Sequence, residues 1–228
     1  MLPVSCVRDL GIFIDADLTM RTQVTQTCSK CFAALRQLRS IRRSVSNDVM
    51  QSFIMALVFS RLDYGSATLA NLPKQLMDRL QSVQNTAARL IFKACRRDHI
   101  QPLLRRLHWL RMPERISFRL AALVYRCLHG SAPGYLASDL QRVSHLNARR
   151  QLRSSTTSAL VVPRTVRSTI GDHTFPATAA SVQNNLLDSV RSSPSLQVFR
   201  TRRNFLPSLT VMTNNVSLHW LLIRDFTV

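Results

Sequence analysis

Asp15 and Asp17 stand on either side of Ala16, with Asp9 a little upstream. An Asp-x-Asp pair can hold a divalent cation, and two-metal polymerases and nucleases need clustered carboxylates on a strand or hairpin. Here the pair occupies a turn-like stretch just after an extended segment, so turn chemistry is the stronger reading. Cys28-x-x-Cys31 has the spacing of half a zinc site. No second pair follows at a usable distance, and both cysteines fall on the apolar stripe of a helix, which favours packing in a core. With only 5 Gly in the chain, a glycine-rich phosphate loop is nearly excluded. His99, His108, His129, His145, His173 and His219 show no i, i+4 pairing. Nothing marks a nucleophile for a Ser/Cys–His–Asp arrangement. The expectation is no catalytic residue, no metal and no cofactor.

What remains is charge. The chain carries 31 Lys+Arg against 12 Asp+Glu, a formal net charge of +19. That balance argues against an ordinary metabolic enzyme and points to a polyanionic partner. A hydrophobic content of 46% argues against a disordered basic tail. Lysine occurs only at Lys30, Lys74 and Lys93, so nearly every cation is arginine. Arginine offers a planar five-donor fork that suits phosphates. Codon bias is the rival explanation of that choice, since Glu114 is the sole glutamate; it does not explain the net charge. Cys6, Cys28, Cys31, Cys95 and Cys127 make an odd number in a chain too aliphatic to need a disulfide scaffold. They indicate a reducing, intracellular setting, nucleus or cytoplasm. The opening MLPVSCVRDLGIFID has no secretory pattern, and no run approaches the roughly 18 apolar residues of a membrane span.

The elements that must carry this charge read as mainly α: a helical bundle with a short N-terminal strand and a small irregular, β-containing C-terminal region. Residues 4–14 are β-branched and aromatic and read as one short strand. A helix is expected over 19–43, capped by Thr19, with Val24, Cys28, Cys31, Leu35 and Leu38 on one stripe and Arg36, Arg39 and Arg43 together on a flank. A second is expected over 47–69, capped by Ser46, with Val49, Phe53 and Leu57 facing inward beside Ile54 and Val58. A third over 74–94 carries Leu76, Leu80, Val83, Ala87 and Leu90 at alternating spacings of four and three. A short helix over 98–107 precedes His108-Trp109-Leu110. The helix 113–128 starts at Pro113 and stops before Gly130. It is apolar nearly all round except for Arg115, Arg119 and Arg126, which stack on one side. A last short helix spans 133–141. Trp109 and Tyr135 read as core anchors rather than base-stacking platforms.

After about residue 142 the character changes. Ser, Thr and Arg dominate 143–172, and no acid stands between Asp139 and Asp172. Residues 158–164 suit an edge strand limited by Pro163, and 174–190 and 194–205 suit two short helices. The tail 207–228 fits neither pattern. The segments therefore divide as 1–18, 19–142, 143–206 and 207–228. Arg36, Arg39, Arg43, Arg115, Arg119, Arg126, Arg149, Arg150 and Arg153 are the candidate nucleic-acid-binding residues. The rival reading is that such flanks are merely solvated faces.

Several short stretches occur in a recognisable order: Val7-Arg8-Asp9-Leu10-Gly11-Ile12 with Asp15 and Leu18; Ile41-Arg42-Arg43; Ser60-Arg61-Leu62-Asp63-Tyr64; Leu80-Gln81-x-x-Gln84-Asn85-x-Ala87-Ala88-Arg89; Leu107-His108-Trp109-Leu110; Arg115-Ile116-x-Phe118; Leu128-His129-Gly130-x-Ala132-Pro133-x-Tyr135-Leu136; Leu152-Arg153-Ser154-Ser155; and Gly171-Asp172-x-x-Phe175. Over residues 6–206 the chain resembles the C-terminal part of the reading frame of jockey-type, LINE-like non-LTR retrotransposons, downstream of the reverse transcriptase palm.

The resemblance implies a non-catalytic fragment of an RNA-directed DNA polymerase. The family's Tyr-x-Asp-Asp active site lies upstream of the DLG strand, and no such motif occurs in this chain. Residues 1–18 would be the last palm strand, the primer-grip region; 19–142 a thumb-like bundle; 143–206 a basic C-terminal segment; 207–228 an atypical tail. The helix with Arg36, Arg39 and Arg43 would correspond to the thumb. The implied partners are RNA or an RNA–DNA duplex, gripped without sequence specificity, and the missing polymerase palm; no membrane is implied. Where the family has Trp-Asn followed by Leu-Pro, this chain has Gln183-Asn184 and Leu186-Leu187. Loss of a buried aromatic should loosen local packing, as in a decayed or truncated copy. A helical protein-interaction fragment and a non-functional relic are the alternatives.

Overall fold

The computed structural model describes residues 4–145, 159–164 and 174–201. The architecture is mainly α, with a two-stranded antiparallel sheet at the N-terminus. The chain divides into two units, Met1–Ile116 and Ser117–Val228.

The first unit begins with a hairpin where one strand was expected. Strand β1 (Cys6–Asp9) pairs with β2 (Ile12–Asp15), in a register that sets Cys6 against Asp15 and Asp9 against Ile12. The break is the two-residue turn Leu10-Gly11, where φ is 44° and 85°. Two successive positive-φ residues match the right-handed twist of the flanking strands, and glycine makes the second one inexpensive.

Helix α1 (Arg21–Ile41) follows, and its start corrects the expected Thr19 cap. Met20 occupies the cap position in the left-handed region and offers no side-chain acceptor. Asp15 supplies it instead: Oδ2 accepts from the Thr22 backbone N–H at 3.1 Å. Asp17 closes a local turn, accepting from the Thr19 backbone N–H at 3.1 Å and its hydroxyl at 2.8 Å. The close acidic pair is thus a cap and a turn. Gln23 Oε1 also accepts from the Phe13 N–H at 3.0 Å, which fastens the hairpin to α1. The inner face of α1 buries Val24, Cys28, Cys31, Leu35 and Leu38, as the spacing predicts.

Helix α2 (Asn47–Ile54) is capped by Ser46, whose Oγ accepts from the Val49 N–H at 3.4 Å. A π turn over Met55–Phe59 and a short α3 (Ser60–Asp63) continue it. The expected inward row is corrected here. Val49, Phe53 and Leu57 are exposed, at 43%, 38% and 42%, while Met50, Ile54, Val58, Phe59 and Leu62 form the core face. The Ser60 N–H reaches back to the Met55 carbonyl. That wider turn brings Val58 and Phe59, adjacent in sequence, into the interior together. The helix stops at Tyr64, short of residue 69. Gly65 has φ +65°, and a Cβ there would lie 2.7 Å from Ile12 Cδ1.

Helix α4 (Lys74–Phe92) packs on α1 and on α5 (Ile100–Leu107). Its expected stripe is buried at Leu76, Leu80, Val83 and Ala87. Gln81 and Gln84 are buried as well and serve the backbone of the following segment. Gln84 donates to the Leu110 carbonyl at 2.7 Å, and Gln81 Oε1 accepts from the Met112 N–H at 2.8 Å, capping α6 (Met112–Leu128). Trp109 is a core anchor, edge-on to Phe59 with centroids 4.5 Å apart. Tyr135 is not: it is 72% exposed.

In the second unit α7 (Gly134–Ser138) is shorter than the expected 133–141. Val124, Leu160, Ala179 and Ala180 make a small core, with Leu128, Leu140 and Phe175 against it. The expected edge strand is reduced to one bridge, Arg142 to Leu160. Asn184, at the end of α8 (Phe175–Asn184), holds it from the other side. Its side chain accepts from the Leu160 N–H and donates to the Leu160 carbonyl, both at 2.9 Å. Helices α9 (Asp188–Arg191) and α10 (Leu196–Thr201) complete the described chain. Tyr125 donates to the Ser193 carbonyl at 2.8 Å and packs on Phe199.

Candidate nucleic-acid interface

The last turns of α1 have two sides with opposite duties. Leu35 and Leu38 face the core, and Arg36 and Arg39 face solvent, followed by Arg43 just past the helix end. The spacing of three and four keeps those three arginines on one side. Their guanidinium groups make no hydrogen bond or ion pair among the described residues. An arginine fork without a carboxylate partner keeps its donors available for phosphate oxygens.

Arg42 sits among them in the sequence but is buried at 6% exposure. Its Nε donates to the Leu90 carbonyl at 2.7 Å and its Nη1 to the Val45 carbonyl at 2.9 Å. Its Nη2 reaches the Ile91 carbonyl and Asn47 Oδ1. One side chain thereby joins the end of α1, the end of α4 and the start of α2. Arg106 adds α5 to this corner, its guanidinium 4.6 Å from the Phe92 ring centroid.

Arg39 and Arg43 are exposed at the end of α1, and Lys93, Arg96, Arg97 and Arg106 are exposed at the end of α4, on the loop after it and on α5. The carbonyl ends of α1 and α4 meet here, where Arg39 and Lys93 complement the two helix dipoles. Sequence reasoning did not reach Lys93, Arg96, Arg97 or Arg106. The paired arginines at 96–97 and 105–106 were visible. Their neighbourhood with α1 depends on the Arg42 tie, which has no periodic signal.

The second expected row is not a continuous free ridge. Arg115 is buried at 3% exposure, corrected from a surface contact to an internal one. It forms a two-pronged pair with Asp63 (Nε to Oδ1 2.7 Å, Nη2 to Oδ2 2.6 Å) and lies 4.6 Å from the Phe59 centroid. Amphipathic spacing cannot reveal an ion partner so far away in sequence. Arg119 is half-buried and already engaged. Arg126 is half-buried and donates to the Ser131 carbonyl at 3.3 and 3.4 Å. Arg149, Arg150 and Arg153 lie outside the described residues.

The residues that could have done other chemistry have structural roles. Cys28 and Cys31 are in the core; burial raises both thiols, Cys31 to about 12. Burial pushes the Asp15 carboxyl up, but hydrogen bonds from Thr22, Cys6 and Arg21 together hold it below its ordinary value. No group of three or more His, Cys, Asp or Glu converges among the described residues. No helix among them is long and apolar enough to cross a membrane. Comparison with protein-family models, with curated proteins and with solved structures found no match.

Proposed function

We propose that this chain is a non-catalytic fragment of a retrotransposon reverse transcriptase that grips template–primer or element RNA through its arginine face. The observation that carries the reading is the solvent row Arg36, Arg39 and Arg43, without carboxylate partners among the described residues, on and just past a helix whose opposite face is core. The order of the sequence motifs supplies the polymerase origin, and exposed Lys93, Arg96, Arg97 and Arg106 add further basic surface at and after the end of α4. Contacts of this type are made to phosphates and 2′-hydroxyls, so the grip is independent of base sequence and falls steeply with salt.

The test is a mobility shift of the full chain on an RNA–DNA hybrid, from about 50 to about 200 mM salt. Changing Arg36, Arg39 and Arg43 together to Gln should flatten the dependence of log affinity on log salt by up to about 3 units. An unchanged slope removes α1 from the interface. A second reading, a protein-docking helical fragment, draws on the exposed Val49, Phe53 and Leu57. A slope near zero in the unaltered chain would favour it.

A further inference from the structure

A cleft of about 280 Å³ opens between the hairpin, α1 and α3, with none of Arg36, Arg39 or Arg43 in its lining. Phe13, Gln26, Lys30, Ser60, Arg61 and Tyr64 are among the residues that line it. Two are cations and two are aromatic rings, and no carboxylate is among the lining residues. The Phe13 ring has Lys30 Nζ 5.9 Å and the Arg8 guanidinium 5.6 Å from its centroid. Arg61 uses Nη1 to donate to the Lys30 carbonyl at 3.3 Å, which leaves other donors of its fork unspent. The Tyr64 hydroxyl donates to the Leu10 carbonyl. Its ring lies against Gly11, where an added Cβ would be 3.4 Å from Tyr64 Cε1. Lys30, Arg61, Tyr64, Gln26 and Ser60 are all exposed, so the cleft is reachable from solvent.

Each property selects part of a ligand. Two cations without a neighbouring acid select an anion. Rings select a planar group, since a base stacks on any aromatic face. Gln26 and Ser60 offer neutral donors and acceptors of the kind that orient a ligand. The volume lies just under the roughly 300–1,000 Å³ of small-ligand sites, so it suits at most one nucleotide-sized group.

We infer that this cleft binds a single nucleoside monophosphate unit, its phosphate at Lys30 and Arg61 and its base against Tyr64 and Phe13. The unit is either a free nucleotide or the phosphorylated end of a single strand. This goes beyond the duplex grip and does not use Arg36, Arg39 or Arg43.

The experiment is calorimetric titration of the full chain, at low salt, with AMP, ribose 5-phosphate, inorganic phosphate and a short oligonucleotide with or without a 5′-phosphate. AMP should bind about tenfold more tightly than ribose 5-phosphate, the difference being the stacked base. Lys30→Gln and Arg61→Gln should each weaken AMP several-fold with an unchanged melting curve, because both side chains are exposed. A phosphorylated oligonucleotide that outcompetes AMP identifies the strand end as the source; equal affinity identifies the free nucleotide. No AMP binding, equal binding of inorganic phosphate, or indifference to both variants overturns the inference. The Arg36, Arg39 and Arg43 triple variant should keep AMP affinity while losing duplex affinity, which separates failure here from failure of the duplex grip.

Discussion

Arg115 and Asp63 are 52 residues apart in the chain and meet through two parallel hydrogen bonds, at 2.6 and 2.7 Å. The arginine side chain is 4% exposed and the aspartate 16%. The contact joins two of the ordered sequence stretches, Ser60–Tyr64 and Arg115–Phe118, into one structural feature.

Removing one partner leaves the other charge buried and uncompensated, at a cost of about 3–5 kcal/mol. Asp63→Ala should therefore lower stability by about that amount. Combining it with Arg115→Met should recover much of the loss, since both charges are then gone. Urea unfolding of the two single variants and the double variant measures this. A double variant as unstable as the sum of the singles would show that the two side chains act independently.

Arg42 and Arg43 are adjacent but should respond oppositely to the same substitution. Arg42→Gln strands backbone carbonyls at the end of α4 and should destabilise by about 2–4 kcal/mol. Arg43→Gln touches an exposed side chain and should shift stability by no more than about 0.5 kcal/mol. Only Arg43→Gln should weaken RNA binding when compared at equal folded fraction.

Gln183 is 3% exposed, and its Oε1 has no hydrogen-bond partner among the described residues. A buried, unpaired acceptor costs about 1–3 kcal/mol. Gln183→Met keeps the length of the side chain and removes the oxygen, so it should raise the melting temperature. A lower melting temperature would mean that the amide nitrogen contributes more than the orphan oxygen costs.

Asp15 predicts an acid response at the start of α1. Its folded carboxyl titrates below its unfolded value because hydrogen bonds from Thr22, Cys6 and Arg21 together outweigh burial. The stabilisation is present above about pH 4, the unfolded value, and is lost as pH falls through the lower folded value. Hydrogen exchange of the Thr22 amide should accelerate over that range, and Asp15→Asn should abolish the pH dependence.

The stripes of α1 and α4 were legible in the sequence because a regular helix repeats its inward positions. So were the Ser46 cap and the Trp109 anchor. The hairpin was missed because Leu10-Gly11 divides a continuous β-branched run, and leucine is an uncommon residue at positive φ. The inward face of α2 was misassigned because the choice among Val49, Met50 and Phe53 depends on what lies opposite. Of the candidate binding residues, the α1 row was readable as an exposed flank. Arg115 was not, since its fate is decided by an aspartate on another helix. The corner with Arg96, Arg97 and Arg106 follows from a buried arginine that looked like one more surface cation.

The wide turn at Met55–Phe59 makes this stretch of backbone act as a counter. One residue advances a regular helix by about 100°. The turn already holds one residue more than a regular one, so deleting the exposed Leu57 would close it to regular helix and leave Leu62 and Asp63 on their bearings toward Arg115. A one-residue deletion there should be absorbed, while a one-residue insertion, which rotates all that follows, should be as damaging as losing the ion pair outright.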